Sequence, residues 1–476
     1  MKRIAIIGGG ISGLSAAYTI EEKRRSGTPV EYVLFESRLR LGGVLLTEQV
    51  DDCLVEAGAD SFLTEKPWAS ELCAKLGLAD QLIGSNDAQR KTYILAKNKL
   101  VEMPDGLMFM VPTKIMPAIR SPLFSAKTKI RMAAEWFHPP RESTADETVA
   151  QFVERHYGRE MVEMLADPLL SGVYGGEASE LSLRAVLPRF ADMEAKQGSL
   201  GRGMASARKK AAITTGTTPT TAARPLFTTL KGGMQQMVDV LVASLDPNSI
   251  KTSVTVELLA RELDRWTISA GYQSDQFDGV ILATPTYEAG LVLQGTDEAL
   301  ARELREIQYS SSLTVALGYD DSVRRALPPG FGFLVPRSAG RRMLAATFVH
   351  NKFPHRAPAD RALIRCFLGG SRDEQILQSG EHEVVQIVRD ELEQILGPSL
   401  RAEPLFARVY KWRSAMAQYS VGHLERIRRI EALRLKHPGL ALAGNGYNGI
   451  GVPDCVRSGA EAASTILAAM GMWSEA

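Results

Sequence analysis

Three glycines and one acid carry the clearest chemistry in this 476-residue sequence. Gly8, Gly10 and Gly13 lie in the run Ile6-Ile7-Gly8-Gly9-Gly10-Ile11-Ser12-Gly13, and Glu36 closes Val33-Leu34-Phe35-Glu36, 23 positions after Gly13. A G-x-G-x-x-G spacing preceded by an apolar run and followed by an acid at that distance suits an adenine dinucleotide. Gly8 makes the turn, Gly9 and Gly10 let a pyrophosphate approach the backbone, and Gly13 permits close packing of helix on strand. A helix starting near Ile11 and Ser12 points its unpaired N–H groups at the phosphates, and Glu36 accepts hydrogen bonds from the adenosine ribose. An acid there disfavours a 2′-phosphate, so FAD or NAD is expected rather than NADP.

Directly after Glu36 come Ser37, Arg38, Leu39, Arg40, Leu41, Gly42 and Gly43. The N–H groups of the double glycine and the Arg40 guanidinium suit a second phosphate, with a solvated surface turn as the alternative. Cys53, Cys73, Cys366 and Cys455 are scattered without C-x-x-C spacing, which suggests neither a zinc site nor a disulfide framework and fits a reducing cytosol. His423 invites a general-base role, although a hydrogen-bonded structural histidine is the commoner fate.

Several elements must position these residues. The run 3–7, without Gly or Pro, reads as a buried parallel strand, and 33–36 as the end of a second. Further strands are expected at 250–256, 279–285 and 440–443, and strands of a second sheet at 313–317, 333–335 and 364–368. Helices are expected from 232–234 onward, over 148–170 and over 453–470, and a hairpin over 93–102. The stretch 198–225 reads as a mobile loop whose Arg202, Arg208, Lys209 and Lys210 form a solvated charge run. Between 105 and 140, Met, Phe and Leu mix with Lys114, Arg120, Lys127, Lys129 and Arg131. That is either a basic amphipathic surface suited to anionic lipid or a helical cap whose apolar residues form core.

The expected fold class is α/β: a discontinuous Rossmann-like domain built from 1–90, 226–295 and 426–476, a mixed-sheet substrate domain from 91–104 and 296–425, and a helical, membrane-facing subdomain over 105–225. The length suits two or three domains. A hydrophobic fraction of 45% and a net charge of +1 suit a globular protein and exclude a dedicated nucleic-acid binder. No apolar run approaches the roughly 20 residues needed to span a bilayer, so the expected location is cytoplasmic with at most peripheral membrane contact.

The C-terminal segment Gly444-Asn445-Gly446-Tyr447-Asn448-Gly449-Ile450-Gly451-Val452-Pro453 resembles the flavin-contacting end of two-domain oxidases in the amine oxidase-like superfamily. Gly58-Ala59-Asp60-Ser61-Phe62-Leu63, Leu169-Leu170-Ser171-Gly172-Val173-Tyr174, Leu230-Lys231-Gly232-Gly233-Met234, Gly332-Phe333-Leu334-Val335-Pro336 and Lys411-Trp412-Arg413-Ser414 through His423 are similar to the bacterial protoporphyrinogen/coproporphyrinogen oxidases. Ala59 and Ala417 stand where that family commonly has proline, a change of loop rigidity more than of chemistry.

The resemblance implies FAD, held by the residues above together with Gly58, Ala59, Asp60, Ser61, Val254, Trp412, Ile450, Gly451 and Val452. It implies removal of six electrons from coproporphyrinogen III, or from protoporphyrinogen IX by the same chemistry, with dioxygen as acceptor and hydrogen peroxide as product. Hydride passes from a meso CH2 bridge to the flavin, so no protein triad or metal is needed. Leu334 and Phe367 are implied ring contacts and Lys66 a partner for a substrate propionate. Another amine oxidase or carotenoid desaturase is the second reading. A flavin protein without turnover that binds porphyrin is the third, and hand-over of porphyrin to a ferrochelatase is a further expected partnership.

Overall fold

The computed structural model describes residues 1–108, 110–141, 145–215 and 225–473. Its first sheet has five parallel strands in the order Ile250–Thr252, Val30–Glu36, Lys2–Ile7, Gly279–Leu282, Leu440–Leu442. Three distant stretches of chain thus meet in one sheet. The central strand is apolar on both faces because both are covered. Ile4 and Ile6 pack beneath the helices Ile11–Arg25 and Val452–Ala469, while Ala5 and Ile7 meet Trp266 and Phe277 of a three-stranded antiparallel layer. The two helices touch closely: a Cβ on Gly459 would lie 2.0 Å from the Ser12 carbonyl oxygen.

The second sheet is mixed and has seven strands, in the order Phe406–Ala417, Tyr309–Asp320, Arg361–Gly369, Met343–Phe348, Gly332–Leu334, Thr92–Ala96, Lys99–Glu102. Only the pairing of Gly332–Leu334 with Thr92–Ala96 is parallel. Its hairpin turns at Lys97 and Asn98, both with positive φ, as a tight two-residue connection requires. One face, with Leu95, Phe333, Cys366 and Leu368, packs on the helix Glu381–Leu396. The opposite face looks toward the first domain and the helical subdomain.

That subdomain surrounds Phe152, Tyr157, Leu165, Leu170, Phe190 and Leu200. Two sequence expectations are corrected here. The helix expected over 148–170 is broken: Val149–Tyr157 stops at Gly158, whose φ is 93°, and a π-helical turn, Val162–Ala166, leads into the helix Asp167–Tyr174. The loop expected over 198–225 contains a helix, Leu200–Thr215, while 216–224 lies outside the described residues.

Packing explains why a glycine-bearing stretch is helical. Glu135 caps the helix start, accepting from the N–H of Leu200 at 2.5 Å and of Gly201 at 3.4 Å and from the Ser199 hydroxyl at 3.0 Å. Gly201 lies against the Trp136 ring and Gly203 against Met193, where a Cβ would come within 3.1 and 3.0 Å and the neighbour would have to give way. Arg202 is no solvated charge, since its guanidinium donates to the carbonyls of His138 and Gln197, each at 2.7 Å. In the 105–140 region part of the apolar set forms core, as the helical-cap reading expects, and part lies on the surface. Val111, Leu123, Phe124 and Met132 are buried, while Met116, Ile119, Ile130, Trp136 and Phe137 are exposed, Phe137 by 81%.

Candidate functional site

The turn from Lys2–Ile7 into Ile11–Arg25 has the shape its glycines promise. Gly8 has φ 107° and its Cα faces the Ala283 carbonyl; a Cβ on Gly13 would lie 1.8 Å from the Gly8 oxygen. Beside Gly10, by contrast, a Cβ would meet nothing within 4 Å. The helix that follows has no side-chain cap, so its first N–H groups face that open space. Glu36 stands at the rim, accepting from the N–H of Gly9 at 2.7 Å and of Arg38 at 2.8 Å. Ser37 reaches the Glu36 carboxylate at 3.3 Å, and the Val254 N–H donates to the Glu36 carbonyl at 3.0 Å. A cavity of about 350 Å³ lined by Phe35, Lys251 and Val254 opens at this end.

The 40–43 loop lies alongside. Gly42 donates to the Gly9 carbonyl at 2.8 Å, and Gly43, at φ 59°, approaches the Gly10 Cα. The Arg40 guanidinium donates to the carbonyls of Leu41, Gly43 and Leu45, which ties the loop into a ring around its own side chain. Burial lowers the pKa of Arg40. Next to this loop runs the 57–61 segment, where a Cβ on Gly58 would lie 1.8 Å from the Val44 oxygen.

The second domain grips that segment from above. The Trp412 indole donates to the Ala57 carbonyl at 2.9 Å, Arg365 donates to the carbonyls of Ala57 and Gly58, and Arg356 donates to the Asp60 carbonyl at 2.8 Å and to Glu56 at 2.9 Å. The Lys352 ammonium reaches the Asp60 carboxylate at 3.0 and 3.2 Å and the Ser61 hydroxyl at 3.3 Å. Burial pushes the Asp60 carboxyl up, but Lys352, Arg365 and Arg356 outweigh it and hold the group below the usual carboxylate range. Burial lowers Lys352 and Arg365, and raises Glu56 against the pull of Arg356.

The sequence nominated Asp60 without its partners. Lys352, Arg356 and Arg365 come from about 300 residues further on, and no local spacing marks them.

Register brings Leu334 and Phe367 together. Ile94, Leu334, Ala345, Phe367, Thr314 and Tyr410 occupy one row across six strands, on the face away from Glu381–Leu396. Leu334 and Phe367 are half-buried, whereas Phe333, Cys366 and Leu368 on the other face are buried. Opposite Leu334 stands the helix Asp167–Tyr174, where a Cβ on Gly172 would lie 3.9 Å from Leu334. The helix end is clamped by Gln418, whose amide donates to the Tyr174 carbonyl at 2.7 Å, and by the Ser371 N–H, which donates to the Gly175 carbonyl at 2.9 Å. A polar cavity of about 820 Å³, lined by Tyr287, Tyr309, Ser310, Ser414 and Gln418, adjoins it.

Ile450 and Gly451 lead into Val452–Ala469, and Asp454 caps that helix by accepting from the Gly451 N–H at 3.2 Å. Lys66 is ion-paired with this same Asp454 at 2.6 Å. His423 is buried, stacked on Tyr419 with ring centroids 4.0 Å apart, and its Nε2 lies 2.9 Å from the Tyr447 carbonyl. Burial lowers its pKa, and it is placed as a structural group. The four cysteines are buried free thiols.

A further cluster went unread in the sequence: His138, His156 and Glu194 present ligand-type atoms within 4.8 Å of one another. His156 is sandwiched between carboxylates, with Nδ1 3.3 Å from Glu135 and Nε2 3.1 Å from Glu194. Carboxylates facing both ring nitrogens favour the protonated ring, and Arg155 also holds Glu194. This is a buried ion network bracing the subdomain.

A family model described as flavin containing amine oxidoreductase matches residues 11–467. The coproporphyrinogen III oxidase of Bacillus subtilis is 33% identical over 470 residues, covering 98% of both chains. Protoporphyrinogen oxidase 2 of Arabidopsis thaliana is 27% identical over 495 residues, covering 98% of this chain and 94% of that one. A crystal structure of an Exiguobacterium sp. 255-15 protein, 29% identical, superposes with a TM-score of 0.86 over 98% of each chain. The match makes the cofactor a flavin, and the open space beside Gly10, the uncapped helix start and Glu36 fit its adenine-dinucleotide form, FAD. In sequence along nearly its whole length and in fold, the chain belongs to the flavin-containing amine oxidoreductase family.

Proposed function

We propose that the chain oxidises coproporphyrinogen III to coproporphyrin III in haem biosynthesis, with three dioxygen molecules reduced to three hydrogen peroxide as six electrons and six protons leave the macrocycle. The observation that carries this reading is the row of half-buried Leu334 and Phe367 joined through buried Ala345, with Leu334 facing the helix Asp167–Tyr174, in a chain whose full-length relatives include a coproporphyrinogen III oxidase at 33% identity. The row is a flat apolar floor of the kind a broad ring needs, and Trp412, two residues beyond Tyr410 on its strand, ties it to the 57–61 segment.

FAD, when bound, supplies the two-electron acceptance that each oxidation step requires. The chain's own residues bind and orient. Gly8 to Gly13 and Glu36 would hold the adenosine and pyrophosphate, and 57–61 with Ile450 to Val452 would hold the ring end. Leu334 and Phe367 lay the macrocycle flat and exclude water. Lys66, locked to Asp454, serves the helix start at Val452 and meets a substrate propionate from the same position.

Protoporphyrinogen IX is the second reading, favoured by the likeness to the Arabidopsis enzyme. The exposed apolar residues Met116, Ile119, Ile130 and Phe137 beside Lys127 and Lys129 make peripheral contact with anionic membrane and suit hand-over of product to a ferrochelatase from a cytoplasmic enzyme. Among the described residues no helix is long and apolar enough to cross a membrane. Mixing the FAD-loaded protein anaerobically with each porphyrinogen tests the assignment. Faster bleaching of flavin absorbance by coproporphyrinogen III is expected, followed in air by porphyrin fluorescence. Bleaching by neither substrate sinks the proposal, and preference for protoporphyrinogen IX moves it to the second reading.

A further inference from the structure

The charges around the 57–61 segment do not balance. Lys352, Arg356 and Arg365 bring three cations, and Glu56 and Asp60 bring two carboxylates, all largely buried: Arg356 is 1% exposed, Arg365 4% and Lys352 9%. Glu56 accepts from Arg356, from the Met234 N–H at 2.8 Å and from the Thr47 hydroxyl at 2.8 Å, so it acts as an acceptor throughout. Asp60 accepts from Lys352 and Ser61. Aromatic faces cover the cations, with Lys352 4.4 Å from the Phe227 ring centroid and Arg365 5.0 Å from that of Phe367. Tyr410, beyond Thr314 at the end of the row, donates to Glu48 at 2.6 Å.

A surplus charge in a dry site is costly unless something uses it. Simple bracing of one domain on the other needs only balanced pairs. All three cations converge on one short segment, donating to its carbonyls and to its single carboxylate, and in the cofactor reading above that segment abuts the ring end of FAD. A bound flavin gains negative charge when it is reduced, and a nearby buried cation favours that state because the low local dielectric screens it little.

We propose that the Lys352–Arg356–Arg365 cluster, one cation in excess over Glu56 and Asp60, sets the reduction potential of the bound flavin from behind the 57–61 segment. Lys352 and Arg365 are positioning and tuning residues: both touch the segment, Arg365 also lies against Phe367 of the row, and they act on the cofactor through charge. The inference rests on the cofactor reading of 57–61.

The test follows flavin potential and sulfite affinity in the FAD-loaded full chain, neither of which needs a porphyrinogen. Lys352→Met removes the surplus, and sulfite binding is expected to weaken about tenfold, which corresponds to roughly 30 mV for a two-electron couple. Asp60→Asn adds a second uncompensated cation and shifts both readouts the opposite way by a similar factor. The Lys352→Met/Asp60→Asn double variant restores the original net charge and returns close to wild type. Should either single variant fail to fold, Lys352→Gln and the double variant carry the comparison. Singles that shift in the same direction, unmoved potentials with flavin retained, or a double variant displaced from wild type each overturn the proposal. A wild-type chain that takes up no FAD overturns the cofactor reading instead.

Discussion

A methyl group is too large at Gly13, where a Cβ would sit 1.8 Å from the Gly8 oxygen, and free at Gly10, where nothing lies within 4 Å. The contrast separates two reasons for glycine in one motif: Gly13 is small so that the helix can seat on the strand, whereas Gly10 borders open space of the kind the proposed cofactor would need. Gly13→Val is therefore expected to cost about 3 kcal/mol or more in overpacking and to abolish flavin loading, measured as flavin absorbance per purified chain. Glu36→Gln sets an amide NH2 against the N–H of either Gly9 or Arg38 and removes the charged acceptor, so FAD affinity is expected to fall about tenfold or more by titration into apoprotein. At the floor, Phe367→Ala removes apolar contact worth about 1.5 kcal/mol, read as a roughly tenfold loss in kcat/KM with flavin content unchanged.

Elements decide where those residues end up. The helix Leu200–Thr215 forms because Glu135 caps it and Gly201 and Gly203 let Trp136 and Met193 close in, and Glu135 also binds His156. Burial pulls the His156 pKa down, but its two carboxylate partners outweigh burial and raise it above 6.5. Burial raises Glu194, yet His156 and Arg155 bring it down from 4.5 to about 2. A raised histidine stabilises fully below its unfolded value and loses that contribution as pH rises through its folded value. A depressed carboxylate stabilises above its unfolded value and loses it as pH falls. The network is thus strongest between about pH 4.5 and 6.5. His156→Gln is expected to lower stability by roughly 3 kcal/mol in that window, with the gap to wild type narrowing at higher pH in thermal melts.

Across the whole molecule, the two sheet domains meet over a broad contact that takes in the 57–61 segment, the buried cluster of Val50, Cys53 and Val55 with Val349, Leu363 and Phe406, and the Tyr410–Glu48 hydrogen bond, and a helical subdomain turns a partly apolar, basic face outward. Phe137 is 81% exposed and Ile130 69% on that face. Cosedimentation with vesicles containing anionic lipid is the check. Wild type is expected to bind at low salt, and Phe137→Glu to reduce binding several-fold without touching activity on soluble substrate.

Local physics made the first domain legible. The glycine spacing, Glu36 and the short apolar runs at 3–7, 279–285 and 440–443 specify strand, turn and helix from neighbouring residues, because backbone sterics and one-turn spacing act at short range. The second-sheet strands and the terminal helix were readable for the same reason. The helix at Leu200–Thr215 was not, since its glycines argue against it until Trp136, Met193 and Glu135 are in place. Nor did the sequence reveal that Lys66 belongs to Asp454, or that Leu334 and Phe367 share a row through Ala345. Least visible of all was the surplus cation. Glu56 and Asp60 stand about 300 residues from Lys352, Arg356 and Arg365, and only the docking of one domain on the other removes the water that would have screened them apart.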